Sequence, residues 1–293
     1  MAVIIDGKEI AKKIRENARD RTEKLKERGV RPCLAVVLVG ENPASVSYVT
    51  GKEKALAEAG MDGRDIRLPE ATTEAELLDL VAKLNGDPGV HGILVQLPLP
   101  PRINEDRVIN AISPEKDVDG FHPVSVGNMV LGRPGFLPCT PHGIIQLLAE
   151  MKIKTAGAHA VILGRSNIVG KPLANLLIRR DVNATVTICH TGTPDFSVYT
   201  KQADILIAAA GKPGLVTAGM VKPGAAVIDV GVNRIPDASK KSGFVLRGDV
   251  DYQAVEKTAG WITPVPGGVG PMTIAMLMRN VVEAAECYCV NSR

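Results

Sequence analysis

Aromatic residues are scarce: one Trp, four Tyr and four Phe, 3% of 293 residues. The core must therefore be aliphatic, built from Val, Ile, Leu and Ala. An excess of one charge is also lacking. Lys and Arg number 35 against 32 Asp and Glu, a formal charge of +3, and no dense basic run occurs, which argues against a nucleic-acid partner. The Lys240-Lys241 pair reads as a solvated loop. The cysteines (Cys33, Cys139, Cys189, Cys287, Cys289) are odd in number and never spaced C-x-x-C, so free thiols in a reducing compartment are expected. His91, His122, His142, His159 and His190 are scattered and pair with no cysteine, so no metal is expected. No run approaches the roughly 18 apolar residues of a membrane span. The opening Met1-Ala2-Val3-Ile4-Ile5-Asp6 reaches a charge too soon for a signal peptide. The expected location is cytoplasmic, with no membrane partner.

What is present is a globular balance, 45% hydrophobic and 23% charged, in a length that suits two α/β domains. Residues 8–28 carry apolar residues at helical spacing, and Gly29 stops them. Cys33–Val39 is a short, unbroken apolar run that reads as a strand buried on both faces. Asn42-Pro43 opens a helix running through Tyr48 and Lys52 to about Ala59. A short strand at Ile66–Leu68, a helix at Thr73–Leu84, a strand at Gly92–Leu97 and a helix at Asn104–Ala111 follow. Then come the acidic turn Lys116-Asp117-Val118-Asp119-Gly120 and, after the Gly/Pro-rich stretch Gly132–Pro141, a second alternating series. In that series His159–Leu163, Ala184–Cys189, Ala203–Ala209, Ala225–Val230 and Trp261–Thr263 read as strands. Pro141–Met151, Val169–Arg179 and Met272–Ala285 read as helices. The alternation predicts parallel, doubly wound sheets.

The strand His159–Leu163 runs into Gly164-Arg165-Ser166-Asn167-Ile168-Val169-Gly170 and then a helix. Strand, glycine turn and helix aim backbone N–H groups at a pyrophosphate. Ser166 replaces the middle glycine of G-x-G-x-x-G, so context carries the signal, and a plain glycine turn stays open. The next strand ends at Cys189-His190-Thr191-Gly192, without the carboxylate that reads a ribose hydroxyl in NAD sites. Arg165 would suit a 2′-phosphate, which points to NADP; on spacing alone it reads equally well as a surface arginine.

Tyr48 and Lys52 share a helix face. Gly51 between them costs roughly 1 kcal/mol against alanine and suggests a close approach. Spacing alone also allows a solvated lysine beside a half-buried tyrosine. Gln96 stands in an apolar strand, and a buried amide needs a specific partner. Asp117 suits turn chemistry. Pro264-Val265-Pro266-Gly267-Gly268-Val269-Gly270-Pro271-Met272-Thr273 is a rigid loop exposing its backbone before a helix. Whether Leu97-Pro98 or Val265-Pro266 is cis stays open.

Taken together, Tyr48-Val49-x-x-Lys52-x-Lys54, Val95-Gln96-Leu97-Pro98-Leu99-Pro100, Lys116-Asp117-Val118-Asp119-Gly120, Pro138-Cys139-Thr140-Pro141, the turn at Gly164 and the loop at Pro264 resemble the bifunctional methylenetetrahydrofolate dehydrogenase/methenyltetrahydrofolate cyclohydrolase family. The resemblance is collinear and spans nearly the whole chain. It implies two α/β domains flanking a cleft: a catalytic, folate-binding domain (1–139, with the C-terminal helix 271–293 packing back on it) and a Rossmann-type NADP-binding domain (140–270). It implies NADP-dependent oxidation of 5,10-methylenetetrahydrofolate and hydrolysis of the methenyl product to 10-formyltetrahydrofolate, steps of one-carbon metabolism that feed purine biosynthesis, in a homodimer. Lys52 would be the acid/base, Gln96 would hold its amine, Tyr48 would stack on the folate and Asp119 would accept hydrogen bonds from the pterin. Lys54 would meet the substrate's carboxylates, and Leu97, Pro264, Gly267 and Gly268 would line the substrate. Gly164, Arg165, Ser166, Thr191 and Val232 would hold NADP. An amino-acid or shikimate-type dehydrogenase would also explain the glycine turn but gives Gln96 and the Pro-Gly-Gly loop no shared purpose. A non-catalytic dinucleotide sensor leaves Lys52 unexplained. A dehydrogenase without the hydrolytic step stays open.

Overall fold

The computed structural model describes residues 1–240 and 243–291. Lys241 of the expected basic loop, and the end of the expected 271–293 helix, lie outside the described residues. In chain order the first half contains β1 (Val3–Ile4), α1 (Gly7–Lys26), β2 (Cys33–Val39), α2 (Pro43–Glu58), β3 (Asp62–Leu68), α3 (Glu74–Gly86), β4 (Gly92–Val95), α4 (Glu105–Ala111) and α5 (Pro123–Leu131). The second half contains α6 (Cys139–Glu150), β5 (His159–Leu163), α7 (Gly170–Leu177), β6 (Thr185–Cys189), α8 (Ser197–Thr200), β7 (Ile205–Ala208), β8 (Ala226–Asp229), β9 (Asn233–Pro236), β10 (Phe244–Arg247), α9 (Tyr252–Val255), β11 (Trp261–Ile262) and α10 (Val269–Asn291).

The chain forms two compact units: Lys12–Cys139 with the chain from Ile274 onward, and Met1–Ala11 with Thr140–Thr273. Residues 1–11 thus correct the expected boundary. The reason is pairing: Val3 and Ile4 run parallel to Trp261 and Ile262, which is a partnership no local pattern announces.

In the first unit β3, β2 and β4 form a parallel sheet with β2 central. All of β2 is buried, and its alternation divides two cores. Leu34, Val36 and Leu38 join a cluster with Met276, Leu277, Val281 and Val282 of α10. Ala35, Val37 and Val39 join another with Leu77 and Val81 of α3. β3 begins four residues earlier than its apolar end suggests, because the polar Asp62–Asp65 stretch is a sheet edge paired to Cys33–Val36.

In the second unit the strand order is β1-β11-β8-β7-β5-β6, all parallel. β5 lies between β6 and β7. The chain therefore leaves β5 to one side and later returns on the other, and that reversal opens a crevice at the carboxyl ends of β5 and β7. β9 and β10 form an antiparallel pair.

Candidate active site

In the first unit the site is built around one buried amine. Lys52 is 7% exposed, and burial pushes its pKa down while the Asp119 carboxylate and then the Cys139 thiol oppose that shift. Its Nζ donates to Gln96 Oε1 at 2.9 Å. The other end of the amide donates from Nε2 to the Leu97 carbonyl at 2.7 Å. A carbonyl only accepts, so it dictates the amide's orientation and leaves the oxygen for lysine. Gln96 is half-buried and stands one residue past β4; its backbone N–H donates to Val37 at 2.8 Å. The strand ends at Val95, and the Leu97-Pro98 peptide that follows Gln96 is cis.

Tyr48 lies one helical turn before Lys52 and is 42% exposed. Lys54 points elsewhere: its ammonium is exposed and lies 3.9 Å from Glu58 of the same helix. A Cβ at Gly51 would stand 3.4 Å from Ile274 Cδ1, an ordinary contact, so space alone does not demand glycine there.

The acidic turn is held beside β4 by the Ile93 N–H, which donates to the Lys116 carbonyl at 2.8 Å. Its two aspartates have separate tasks. Asp117 is buried and accepts from the backbone N–H groups of Phe121 and His122 and from Ser125 Oγ, at 3.2, 2.8 and 2.7 Å. Burial nevertheless lifts its pKa to about 6. It is a structural carboxyl that organises the start of α5. Asp119 is half-buried, and burial also raises its pKa, with Lys52 and the Cys139 thiol pulling it back. Gly120 turns the chain at φ +73°, where a Cβ would meet the Leu137 carbonyl carbon at 2.7 Å.

Sequence reasoning missed Asn280. It is buried on α10, and its Nδ2 donates to the Val118 carbonyl at 2.8 Å and the Leu137 carbonyl at 3.1 Å. Cys139 Sγ also donates to Val118, at 3.4 Å. A polar residue in an apolar helix was the available signal, of the same kind that singled out Gln96.

In the second unit the turn after β5 has the geometry that a dinucleotide requires. Gly164 has φ +124°, and a Cβ there would lie 2.2 Å from the Ala209 carbonyl oxygen. Gly170 is equally constrained, 2.2 Å from the Gly164 oxygen. Ser166 Oγ accepts from the N–H groups of Val169 and Gly170 at 3.2 and 3.3 Å, so the residue in the middle-glycine position caps α7. Arg165, Thr191 and Val232 are exposed. Among the described residues Arg165 makes no ion pair. After β6 the His190 N–H donates to Thr193 Oγ1 and the Gly192 N–H to His190 Nδ1, both at 3.0 Å.

The loop Pro264–Gly268 also lies in this unit. Val265-Pro266 is cis. Gly268 is wedged against Thr263, and a Cβ on Gly7 would overlap its carbonyl oxygen at 1.8 Å. Two carboxylates unforeseen from the sequence are also buried, Asp229 at the end of β8 and Asp249 two residues past β10. Burial lifts Asp229 to a pKa of about 6 against the pull of backbone N–H groups.

Comparison with known proteins bears on both units. The family model for the tetrahydrofolate dehydrogenase/cyclohydrolase catalytic domain matches residues 5–119, and that for the family's NAD(P)-binding domain matches 138–289. The bifunctional protein FolD of Exiguobacterium sibiricum is 58% identical over 286 residues, 98% of this chain and all of that protein. The crystal structure of the bifunctional methylenetetrahydrofolate dehydrogenase/cyclohydrolase FolD from Campylobacter jejuni is similar at a TM-score of 0.93 and 49% identity, covering 98% of this chain and 99% of that one. The Trypanosoma brucei methylenetetrahydrofolate dehydrogenase-cyclohydrolase, solved with NADP cofactor and an inhibitor, is similar at 0.94 and 40% identity over 98% of each chain.

Proposed function

The chain belongs to the tetrahydrofolate dehydrogenase/cyclohydrolase family, and from that premise we propose that it oxidises 5,10-methylenetetrahydrofolate with NADP and hydrolyses the methenyl product to 10-formyltetrahydrofolate. The observation that carries the hydrolytic half is the buried Lys52 amine held by an uncharged amide.

Oxidation removes a hydride from the bridging carbon, and the flanking nitrogens stabilise the cation left behind. The protein's task there is alignment, which is itself worth several kcal/mol. NADP, when bound, is the hydride acceptor. The second unit fits it. The turn at Gly164 sits at the sheet's reversal point, the residues directly after β6 are His190-Thr191-Gly192 with no carboxylate among them to disfavour a 2′-phosphate, and Arg165 is exposed. We assign its binding to Gly164, Arg165, Ser166, Thr191 and Val232.

Hydrolysis needs proton transfers. Water adds to the methenyl carbon and loses a proton, then the ring nitrogen leaves and gains one. A lysine serves only when its amine spends time uncharged. Burial moves Lys52 that way, and the cationic methenyl group would move it further. Gln96 accepts one N–H and leaves the lone pair free to take the proton. Tyr48 would stack on the folate and help place Lys52. Asp119 would accept hydrogen bonds from the pterin amino and ring N–H groups, a task for a group that only accepts. Leu97, Pro264, Gly267 and Gly268 would line the substrate, and the exposed Lys54 would meet its carboxylates.

The test is to supply methenyltetrahydrofolate without NADP and follow loss of its absorbance. Turnover well above the buffer rate is expected, and Lys52→Met should abolish it while NADP still binds. Hydrolysis at the buffer rate would leave only a dehydrogenase. We also propose a cytoplasmic homodimer; sedimentation at the monomer mass would contradict the dimer. Among the described residues no helix is long and apolar enough to cross a membrane.

A further inference from the structure

We propose that Asp249 is a positioning residue for the dinucleotide, acting through the loops that follow β7 and β8. This rests on the NADP reading above. Asp249 is fully buried. Its Oδ2 accepts from the successive backbone N–H groups of Ala210 and Gly211 at 2.7 and 2.8 Å. Its Oδ1 accepts from Asn233 Nδ2 at 2.9 Å. The backbone N–H of Asp249 donates in turn to Asp229 Oδ1 at 2.9 Å, an oxygen that also receives the Gly231 N–H at 3.0 Å.

The partners fall in the adjacent loops after β7 and β8, on the β7 side of the crevice. Ala210 and Gly211 directly follow Ala209, whose carbonyl oxygen lies 2.2 Å from where a Cβ on Gly164 would stand. The segment held by Asp249 is therefore the wall against which the glycine turn packs. Gly231 and Asn233 flank Val232, and a Cβ on Gly231 would lie 2.2 Å from Asp249 Oδ1. The loop after β8 thus bends around this carboxylate, and Val232 stands exposed at its tip.

Only a group with acceptors and no donor satisfies two main-chain N–H groups and a side-chain amide together. An asparagine at 249 would turn its own NH₂ onto one donor or the other. Burying a carboxylate is expensive where an apolar residue would pack, so what this one contributes is loop geometry.

The experiment compares Asp249→Asn, Asp249→Ala and Asn233→Ala in three readouts. These are the NADP KM of oxidation, NADP binding by calorimetry, and hydrolysis of methenyltetrahydrofolate without cofactor. NADP affinity should fall by about tenfold in Asp249→Ala, the scale of a buried donor left unpaired, and by less in the other two. Hydrolysis should keep its kcat and its folate KM in Asp249→Asn and Asn233→Ala. Unchanged NADP affinity in Asp249→Asn would overturn the proposal, as would parallel loss of NADP binding and hydrolysis in that variant, which would mark a merely structural role. A wild-type protein that binds NADP but turns over neither folate defeats the functional reading alone; the calorimetric ratio still decides the role of Asp249.

Discussion

Lys52 works as a base only while its amine is uncharged, and its neighbours set how often that is. Burial favours the free amine, while the nearby Asp119 carboxylate favours the cation. The 2.9 Å partner is an amide, which adds no charge to that balance. Gln96→Glu should therefore raise the Lys52 pKa by placing a negative charge beside the amine and move the acid limb of the hydrolysis profile to higher pH. An unmoved profile, after subtraction of the buffer reaction, would mean that Gln96 only fills space. Asp119→Ala should raise the folate KM about tenfold or more in both reactions, the loss expected when buried ring donors go unpaired. A normal folate KM would remove Asp119 from pterin recognition. The Tyr48–Lys52 pair was legible from spacing and Gln96 from its polarity in an apolar run. That Lys52 and Gln96 touch was expected only through the family resemblance and not from spacing, because 44 residues separate them.

At the scale of elements, the acidic turn owes its position to a helix from the far end of the chain. Asn280 on α10 closes the Val118 and Leu137 carbonyls together. Asn280→Ala leaves both without that donor and should destabilise the protein by ~1–3 kcal/mol, read as a lower denaturant midpoint, with the folate KM rising as the Asp119 turn loosens. Stability equal to wild type would show that water replaces the amide. Strands buried on both faces, such as β2 and β5, were readable end to end because their apolar runs are continuous. α5 and the β9–β10 pair were not. α5 is short and capped by a histidine rather than a Ser or Asp, and the β9–β10 pair is half-exposed with no unbroken apolar run.

At the scale of the molecule, neither unit is a continuous stretch of chain. The core of the first unit contains Met276, Leu277, Met278, Val281, Val282, Ala284 and Ala285 from α10. A chain ending at Thr273 should lose that core's closure, seen as loss of cooperative unfolding by circular dichroism; a cooperative transition would show that the 12–139 segment closes its core unaided. Stability should also carry a pH signature from Asp229. Its folded pKa of about 6 exceeds the unfolded value, so between about pH 4 and 6 the folded state holds more protons and stability falls as pH rises. The unfolding free energy of wild type relative to Asp229→Asn should drop by up to roughly 3 kcal/mol across that window. A flat or rising difference would contradict the assignment.

The sequence by itself determined the alternating α/β plan, the Tyr48–Lys52 face and the glycine turn after β5. Each is set by periodicity or by backbone conformations that few residues adopt, and both are local. Only the tertiary structure decided that Val3 and Ile4 pair with Trp261 and Ile262, that Asn280 supports the Asp119 turn, and that Asp249 ties two loops together. Those outcomes depend on donors and acceptors finding each other across 16 to more than 250 residues. A buried polar atom must be paired, but nothing near it in the chain names the partner.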